Sequence, residues 1–247
     1  MPPRFFHHDD IYVGQCIELE ITSAHHAVRV LRIKAGDSIV LFNGKGGEYS
    51  AHIESIRKTT TKVIIDQFNA VERESPLDID LVQAICVNEK MDLIIQKSVE
   101  LGVTSIQPIS TTRSIVRLSK ERATKRLQHW NRVVISACEQ CGRNFIPIVF
   151  PLISLTDWII NNKTNSSNHL RYMLSTTGNE SLKNLTDPVP TQYFTVVVGP
   201  EGGLTSEEEI ILQQADFQPL RIGKRILRTE TAALSTIAAL QMRWGDF

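Results

Sequence analysis

Residues 193–240 read YFTVVVGPEGGLTSEEEIILQQADFQPLRIGKRILRTETAALSTIAAL, and this stretch decides the architecture. Thr195–Val198 reads as an apolar run closed by Gly199, Pro200, Gly202 and Gly203, the pattern of a strand buried on both faces. Thr205 and Glu208 have the spacing of a capping box, which predicts a helix starting there with Glu207, Glu208 and Glu209 at its positive end. Those carboxylates repel phosphate, and the stretch holds neither G-x-G-x-x-G nor a P-loop lysine, so a pyrophosphate cradle is not expected. A second loop, Leu220–Arg228, sets aliphatic side chains around Gly223 and leads into a helix expected from about Thr229. Such a loop can hold a flat ring. Two backbone-exposing loops at strand ends imply a small-molecule pocket.

Outward from this stretch, the chain from Leu77 alternates strands with helices, which signals an α/β fold with a largely parallel sheet. The expected elements are a strand at Ile79–Val87, a helix at Glu89–Leu101 capped by Asn88 and closed by Gly102, and a strand at Val103–Ile109. A long helix follows from about Ser119 to Cys141, with Leu127, Trp130, Val134, Ala137 and Cys141 on one stripe, and Leu170–Thr176 is a further strand. Asn161–His169 is expected to be a polar loop. The strand ends at Ser175–Gly178, Gly199–Gly203 and Leu220–Arg228 can converge, because ligands of parallel sheets bind outside the carboxyl ends of strands.

Residues 1–72 read differently, as short strand-like runs at Ile11–Val13, Cys16–Ile21, Ser38–Phe42, Glu48–Ile53 and Thr61–Ile65, a candidate small barrel. Asn43–Gly47 is a hairpin turn, since Asn and Gly accept positive φ. His25–Arg32 is a helix turn that packs one face and presents Arg29 and Arg32, or else a charged barrel edge. Ala70–Pro76, charged and ended by proline, is the linker, so the expected domains are 1–72 and 73–247.

The chain has 247 residues, 42% of them hydrophobic, enough to build real cores. It has no apolar stretch near a membrane span, and MPPRFFHHDD is not a signal peptide, so a soluble cytoplasmic protein is expected. The sequons at Asn165 and Asn184 then carry no weight. Four scattered cysteines make no disulfide framework. Cys138-Glu-Gln-Cys141 lacks a second ligand pair, so no metal is expected and the thiols are read as part of a packed helix face. Net charge is zero, which by itself argues against a general nucleic-acid binder. The distribution does not: residues 110–146 carry Arg113, Arg117, Lys120, Arg122, Lys125, Arg126, Arg132 and Arg143 against Glu121 and Glu139, while 147–216 are mainly acidic. A basic segment of this kind fits a polyanion, or a solvated helix face.

The motif GPEGG-L-T-x-x-E followed by L-R-x-G-x-R-I-L-R-T-E-T-A resembles the RsmE family of SPOUT-class methyltransferases. The likeness extends to Pro3-Arg4-Phe5-Phe6, His26, Val30-Leu31-Arg32 and Gly36-Asp37, and so covers nearly the whole chain. It implies an N-terminal PUA-like RNA-binding β-barrel, and a C-terminal SPOUT α/β domain whose deep trefoil knot holds S-adenosylmethionine. It also implies a homodimer, and methylation of N3 of one uridine in 16S rRNA of the small ribosomal subunit. On that basis Ser175, Thr176, Gly199, Glu201, Gly202, Leu220, Ile222, Gly223, Ile226 and Leu227 are assigned to the cofactor. Arg228 and Glu230 are the candidates for charge stabilisation and proton handling; a structural ion pair and helix N-terminal stabilisation are their respective alternatives. Arg4, Arg29, Arg32, Arg113, Arg117, Arg122, Arg132 and Arg143 are the candidate RNA contacts, and Lys97, Glu100, Glu139, Arg113 and Arg143 stand second for the chemistry. A non-catalytic ribosome assembly factor and a methyltransferase of another target, such as tRNA ribose, are the competing readings.

Overall fold

A computed structural model describes residues 2–58, 60–162, 169–178, 180–184 and 193–247. Most of the expected polar loop at Asn161–His169, and the sequon residue Asn165, lie outside the described residues. The chain divides into two compact units: Met1–Glu74 with Ile135–Ile146, and Ser75–Val134 with Pro147–Phe247.

In the first unit, β1 (Arg4–Phe6), β2 (Cys16–Glu18), β3 (Ser38–Phe42), β4 (Glu48–Ile56) and β5 (Thr61–Asn69) form one five-stranded sheet in the order β1-β3-β4-β5-β2. Its core is Phe5, Ile17, Ile39, Leu41, Ile53, Val63 and Ile65, each almost fully buried. Alternation along the strands is what places them on one face. Ile11–Val13 is not a strand: the chain turns at Tyr12–Gln15, where Gln15 N–H donates to Tyr12 O and Gly14 takes φ +84°. Ile11 still anchors the core. The strand the periodicity misses is β1, which pairs in parallel with β3 and buries only Phe5, too short a run to alternate visibly. β4 and β5 outrun their apolar cores because the ladder resumes beyond irregularities at Glu54 and Asp66, pairing Ser55 with Lys62 on one side and Ser50 with Gln67 on the other. Between β2 and β3 lie α1 (Ile21–His25) and a π-helical turn, His26–Val30, which leave Arg29 and Arg32 exposed.

The segment read as a linker is pinned instead. Arg73 Nη1 donates to Glu48 Oε2 at 2.9 Å and to Gly142 O at 3.0 Å, and Arg143 forms a multidentate ion pair with Glu74. Arg4 donates to Glu48, to Asn144 Oδ1 at 2.7 Å and to Arg143 O, while Asn144 donates to Val71 O. Residues 135–146, which the sequence reading keeps with the second part, thus pack in the first unit.

Glu48 sits at the centre of that network. Burial pushes its carboxyl up, but the hydrogen bonds and charges of Arg73 and Arg4 outweigh this and hold it below its usual value. A carboxyl whose folded value lies below its unfolded value of 4.5 contributes stability that is fully present above that pH. The contribution is lost as the pH falls through the lower folded value. Thermal melts taken from pH 6 down are therefore expected to show a steeper acid loss for the wild type than for Glu48→Gln; parallel curves would remove Glu48 from the account.

The second unit is a parallel sheet of β6 (Asp78–Ala84), β7 (Ser105–Ser110), β8 (Ile148–Val149), β10 (His169–Leu174), β11 (Glu180–Ser181), β12 (Tyr193–Val198) and β13 (Gln218–Arg221), ordered β11-β13-β10-β12-β6-β7-β8, with β9 (Ile153–Ser154) beside β7. Helices cover both faces. The helices α2 (Asn88–Glu100) and α6 (Thr229–Trp244) pack together, and α6 lies on β12 and β6 through Ala233, Ile237 and Leu240. On the other face, α4 (Leu155–Asn161) and α5 (Ser206–Gln214) enclose Val82, Met173, Val197, Leu212 and Phe217 with Trp158. The helix α2 starts at Asn88, one residue earlier than expected, with Val87 at its cap position. The helix α3 (Lys120–Cys141) buries Trp130, Val134, Ala137 and Cys138 and turns most of its basic residues outward. Cys138 donates to Phe145 O, and burial raises its thiol to about 12. Among the described residues no group of His, Cys, Asp and Glu is placed to hold a metal, and no helix is long and apolar enough to cross a membrane.

Candidate active site

At the carboxyl ends of the neighbouring strands β13, β10 and β12 the second unit opens a cavity of about 550 Å³. Its walls are Leu174–Thr176 after β10, Val198–Leu204 after β12 and Leu220–Thr229 after β13, with Lys90, Arg113, Glu209 and Ala232 completing it. The size lies within the range of small-molecule sites.

The loop after β12 is shaped by what cannot fit beside it. A Cβ on Gly199 would stand 3.0 Å from Leu204 N, and one on Gly202 would stand 3.2 Å from Arg113 Cβ. The loop is closed by the expected capping box, in which Thr205 accepts Glu208 N–H and the Glu208 carboxylate accepts Thr205 N–H; the same carboxylate accepts Thr112 N–H at 2.7 Å. From the other side Arg113 Nη1 donates to Gly202 O at 3.0 Å and Leu204 O at 3.1 Å. The third loop is tied to the second by Thr229, whose Oγ1 donates to Gly199 O at 2.7 Å and accepts from the fully buried Gln83 amide at 3.0 Å. Gly223 takes φ +69° in open space, so its freedom of conformation, not its size, is what the turn uses.

All the residues assigned to the cofactor from the sequence line this one cavity: Ser175, Thr176, Gly199, Glu201, Gly202, Leu220, Ile222, Gly223, Ile226 and Leu227. Arg228 lines it too, is exposed, and its guanidinium has no hydrogen bond or ion pair among the described residues, which removes the structural ion pair as its explanation. Glu230 does not line it. Its carboxylate sits in the first turn of α6 with Oε2 buried, lacking a hydrogen-bond partner among the described residues and 3.7 Å from Lys90 Nζ. This geometry places Glu230 at the helix end beside Lys90, the position its helix-stabilising alternative describes, and outside the cavity wall.

Lys90 is the wall residue that the sequence did not reveal. Its ammonium also lies 3.3 Å from Glu201 Oε1, an oxygen that accepts Val87 N–H at 3.4 Å. Burial pushes the Glu201 carboxyl up, but the backbone N–H groups of Glu201 and Val87 and the Lys90 charge hold it below its usual range, so the cavity keeps an anion at neutral pH. Cys86 beside it is a neutral thiol, raised to about 12 by burial and by the neighbouring Glu201 and Glu230. The strand ending before Lys90 is β6, and counting its carboxyl end with the other three would have been the signal.

The remaining candidates separate. Arg4 and Arg143 are buried in the ion-pair network of the first unit, which contradicts their assignment as RNA contacts: their guanidinium groups are already spent on Glu48 and Glu74. Arg113 braces the loop. Arg117 and Arg122 line a separate groove, and Arg132 is exposed on α3. Lys97 and Glu100 pair with each other at 2.8 Å, and Glu139 accepts Phe6 N–H in the first unit, its carboxyl raised by burial.

The cavity suits S-adenosylmethionine by the chemistry of its walls: aliphatic Leu220, Ile222, Ile226 and Leu227 for a ring, loop backbone for hydrogen bonds, and the Glu201 and Glu209 carboxylates for cationic groups. The fold and site define a class, and residues 73–241 match the RNA methyltransferase domain family while 22–66 match the RNA methyltransferase PUA domain. A crystal structure of ribosomal RNA small subunit methyltransferase E from Neisseria gonorrhoeae, bound to S-adenosylmethionine, is 40% identical, covers 100% of both chains and superposes with a TM-score of 0.91. The proteins of that name from Buchnera aphidicola and Bacillus subtilis are 35% and 30% identical, over 99% and 87% of this chain and 95% and 86% of theirs. The chain belongs to the ribosomal RNA small subunit methyltransferase E family.

Proposed function

We propose that this protein methylates N3 of a single uridine in 16S rRNA of the small ribosomal subunit. The observation that carries the reading is the convergence of the loops after β10, β12 and β13 on one cavity rimmed by an unpaired arginine. S-adenosylmethionine, when bound, supplies an activated methyl group. The chain's part is to hold, orient and exclude water. Thr229 and Arg113 fix the Gly199–Leu204 loop from both sides, so the wall is set before a substrate arrives. Uracil N3 gives its proton to solvent at the open rim of the cavity in the course of attack, and Arg228 meets the negative charge left on the ring. N3 lies on the pairing edge, so the base enters the cavity unpaired or flipped.

The same reading carries finer features. The C-terminal chain, whose strands β10, β12 and β13 lie side by side, is threaded as a deep trefoil knot around the cofactor. The first unit serves as a PUA-like barrel that binds RNA through Arg29 and Arg32, with 1–72 and 73–247 as the functional domains. The active protein is a cytoplasmic homodimer.

The test is tritium transfer from labelled S-adenosylmethionine to 16S rRNA within small ribosomal subunits, followed by nucleoside analysis. Label in 3-methyluridine is expected. Label in another nucleoside would keep the cofactor and sink the uracil assignment, and no transfer despite subunit binding would mark an assembly factor.

A further inference from the structure

A second concavity of the same unit, a groove of about 680 Å³, is bounded by the start of α3 and the loop before it. Arg117, Arg122, Lys125, Arg126 and His129 line it, and among the described residues no carboxylate does. Its remaining wall is apolar: Val87, Val116 and Leu118. His129 is held from behind by Asp92, whose Oδ2 lies 2.8 Å from Nε2, and Lys125 is steadied by Glu121 at 2.7 Å. Arg117, Arg122 and Arg126 have no partner among the described residues that engages their guanidinium groups. Cations placed over an apolar wall suit a strand that offers phosphates and base faces together.

The groove adjoins the cofactor cavity. Val87 lines the groove and donates its N–H to Glu201, which lines the cavity, and Lys90 on the next turn of α2 faces the cavity. We propose that this groove is the track for the RNA strand flanking the target nucleotide, with Arg117, Arg122 and Arg126 on consecutive phosphates and the Val116–Leu118 wall against a base. The inference rests on the methyltransferase reading and adds the path of the substrate. Arg132 lies on the same helix but outside the groove, so it takes no phosphate.

The experiment measures filter binding of 16S rRNA to the full-length protein from low to high salt, with cofactor affinity by calorimetry and melting temperature recorded in parallel. Each phosphate contact removed lowers the slope of log affinity against log salt by roughly 0.7 to 0.9. Arg122→Gln with Arg126→Gln is therefore expected to flatten the slope by about 1.4 to 1.8. Cofactor affinity and melting should stay at wild-type values, and Arg132→Gln should leave the slope nearly unchanged. A wild-type slope in the double variant would overturn the track and leave the groove to an acidic protein surface. An equal loss in Arg132→Gln would overturn it in favour of a general field along α3. Should the wild type bind cofactor but neither bind nor methylate the RNA, the methyltransferase reading itself would fail and the track with it.

Discussion

Arg228→Gln is expected to lower turnover about 10²-fold while leaving cofactor affinity within a few-fold of wild type. The guanidinium lines the cavity with no partner among the described residues, so it contributes nothing to holding the loop that a glutamine would forfeit. On the proposed mechanism it offers charge where the ring becomes negative. A preorganised donor of this kind is worth about 10²–10³ in rate, and the lower end applies because Arg228 is exposed and water shares its field. Arg228→Lys, which keeps the charge on a different stem, should recover part of the loss. Single-turnover methyl transfer at saturating cofactor and RNA is the measurement. Unchanged turnover in Arg228→Gln would show that another cation of the wall, Lys90, Arg221, Lys224 or Arg225, meets the charge.

Arg143→Ala is expected to destabilise the protein by about 3 kcal/mol, with no change in the salt dependence of RNA binding. The Arg143 and Glu74 side chains are 8% and 21% exposed, and removing one partner leaves the other charge poorly solvated. Because Arg143 O also accepts from Arg4, and Arg4 shares Glu48 with Arg73, the loss should spread to the contacts that pin 70–74. Denaturant unfolding monitored in the first unit gives the magnitude, and replacing Arg143 and Glu74 together by methionine should restore much of it. Stability at the wild-type level with a flattened salt slope would return Arg143 to the RNA-contact role read from the sequence.

Arg143 and Arg228 are both candidate site arginines in the sequence, Arg143 from the basic segment 110–146 and Arg228 from the L-R-x-G-x-R-I-L-R-T-E-T-A motif. The structure separates them by neighbours. Arg143 meets Glu74, far away along the chain, whereas Arg228 meets solvent and the cavity. Element positions were legible wherever the deciding forces are local. The capping box at Thr205 and Glu208, the start of α6 at Thr229 and the apolar run of β12 each depend on residues within a turn or a strand, and each stands where the pattern placed it. Failures fall where a distant partner decides. β1 exists because β3 offers it a ladder, the turn after Ile11 is tied to β5 by Gly14 N–H on Ile65 O, and the supposed linker is held by Arg73 on Glu48 and Glu74 on Arg143.

The sequence by itself determined the glycine loops, the capping box of α5 and the alternation that makes a parallel sheet, since these follow from backbone freedom and periodicity, and its family resemblance picked out residues that line one cavity. Only the tertiary structure decided that Lys90 joins that wall, that Arg4 and Arg143 are consumed by Glu48 and Glu74, and that Arg117, Arg122 and Arg126 share a groove. The physical reason is that a charge takes its role from the nearest opposite charge and from its access to water, and both are set by the packing of segments remote in the chain.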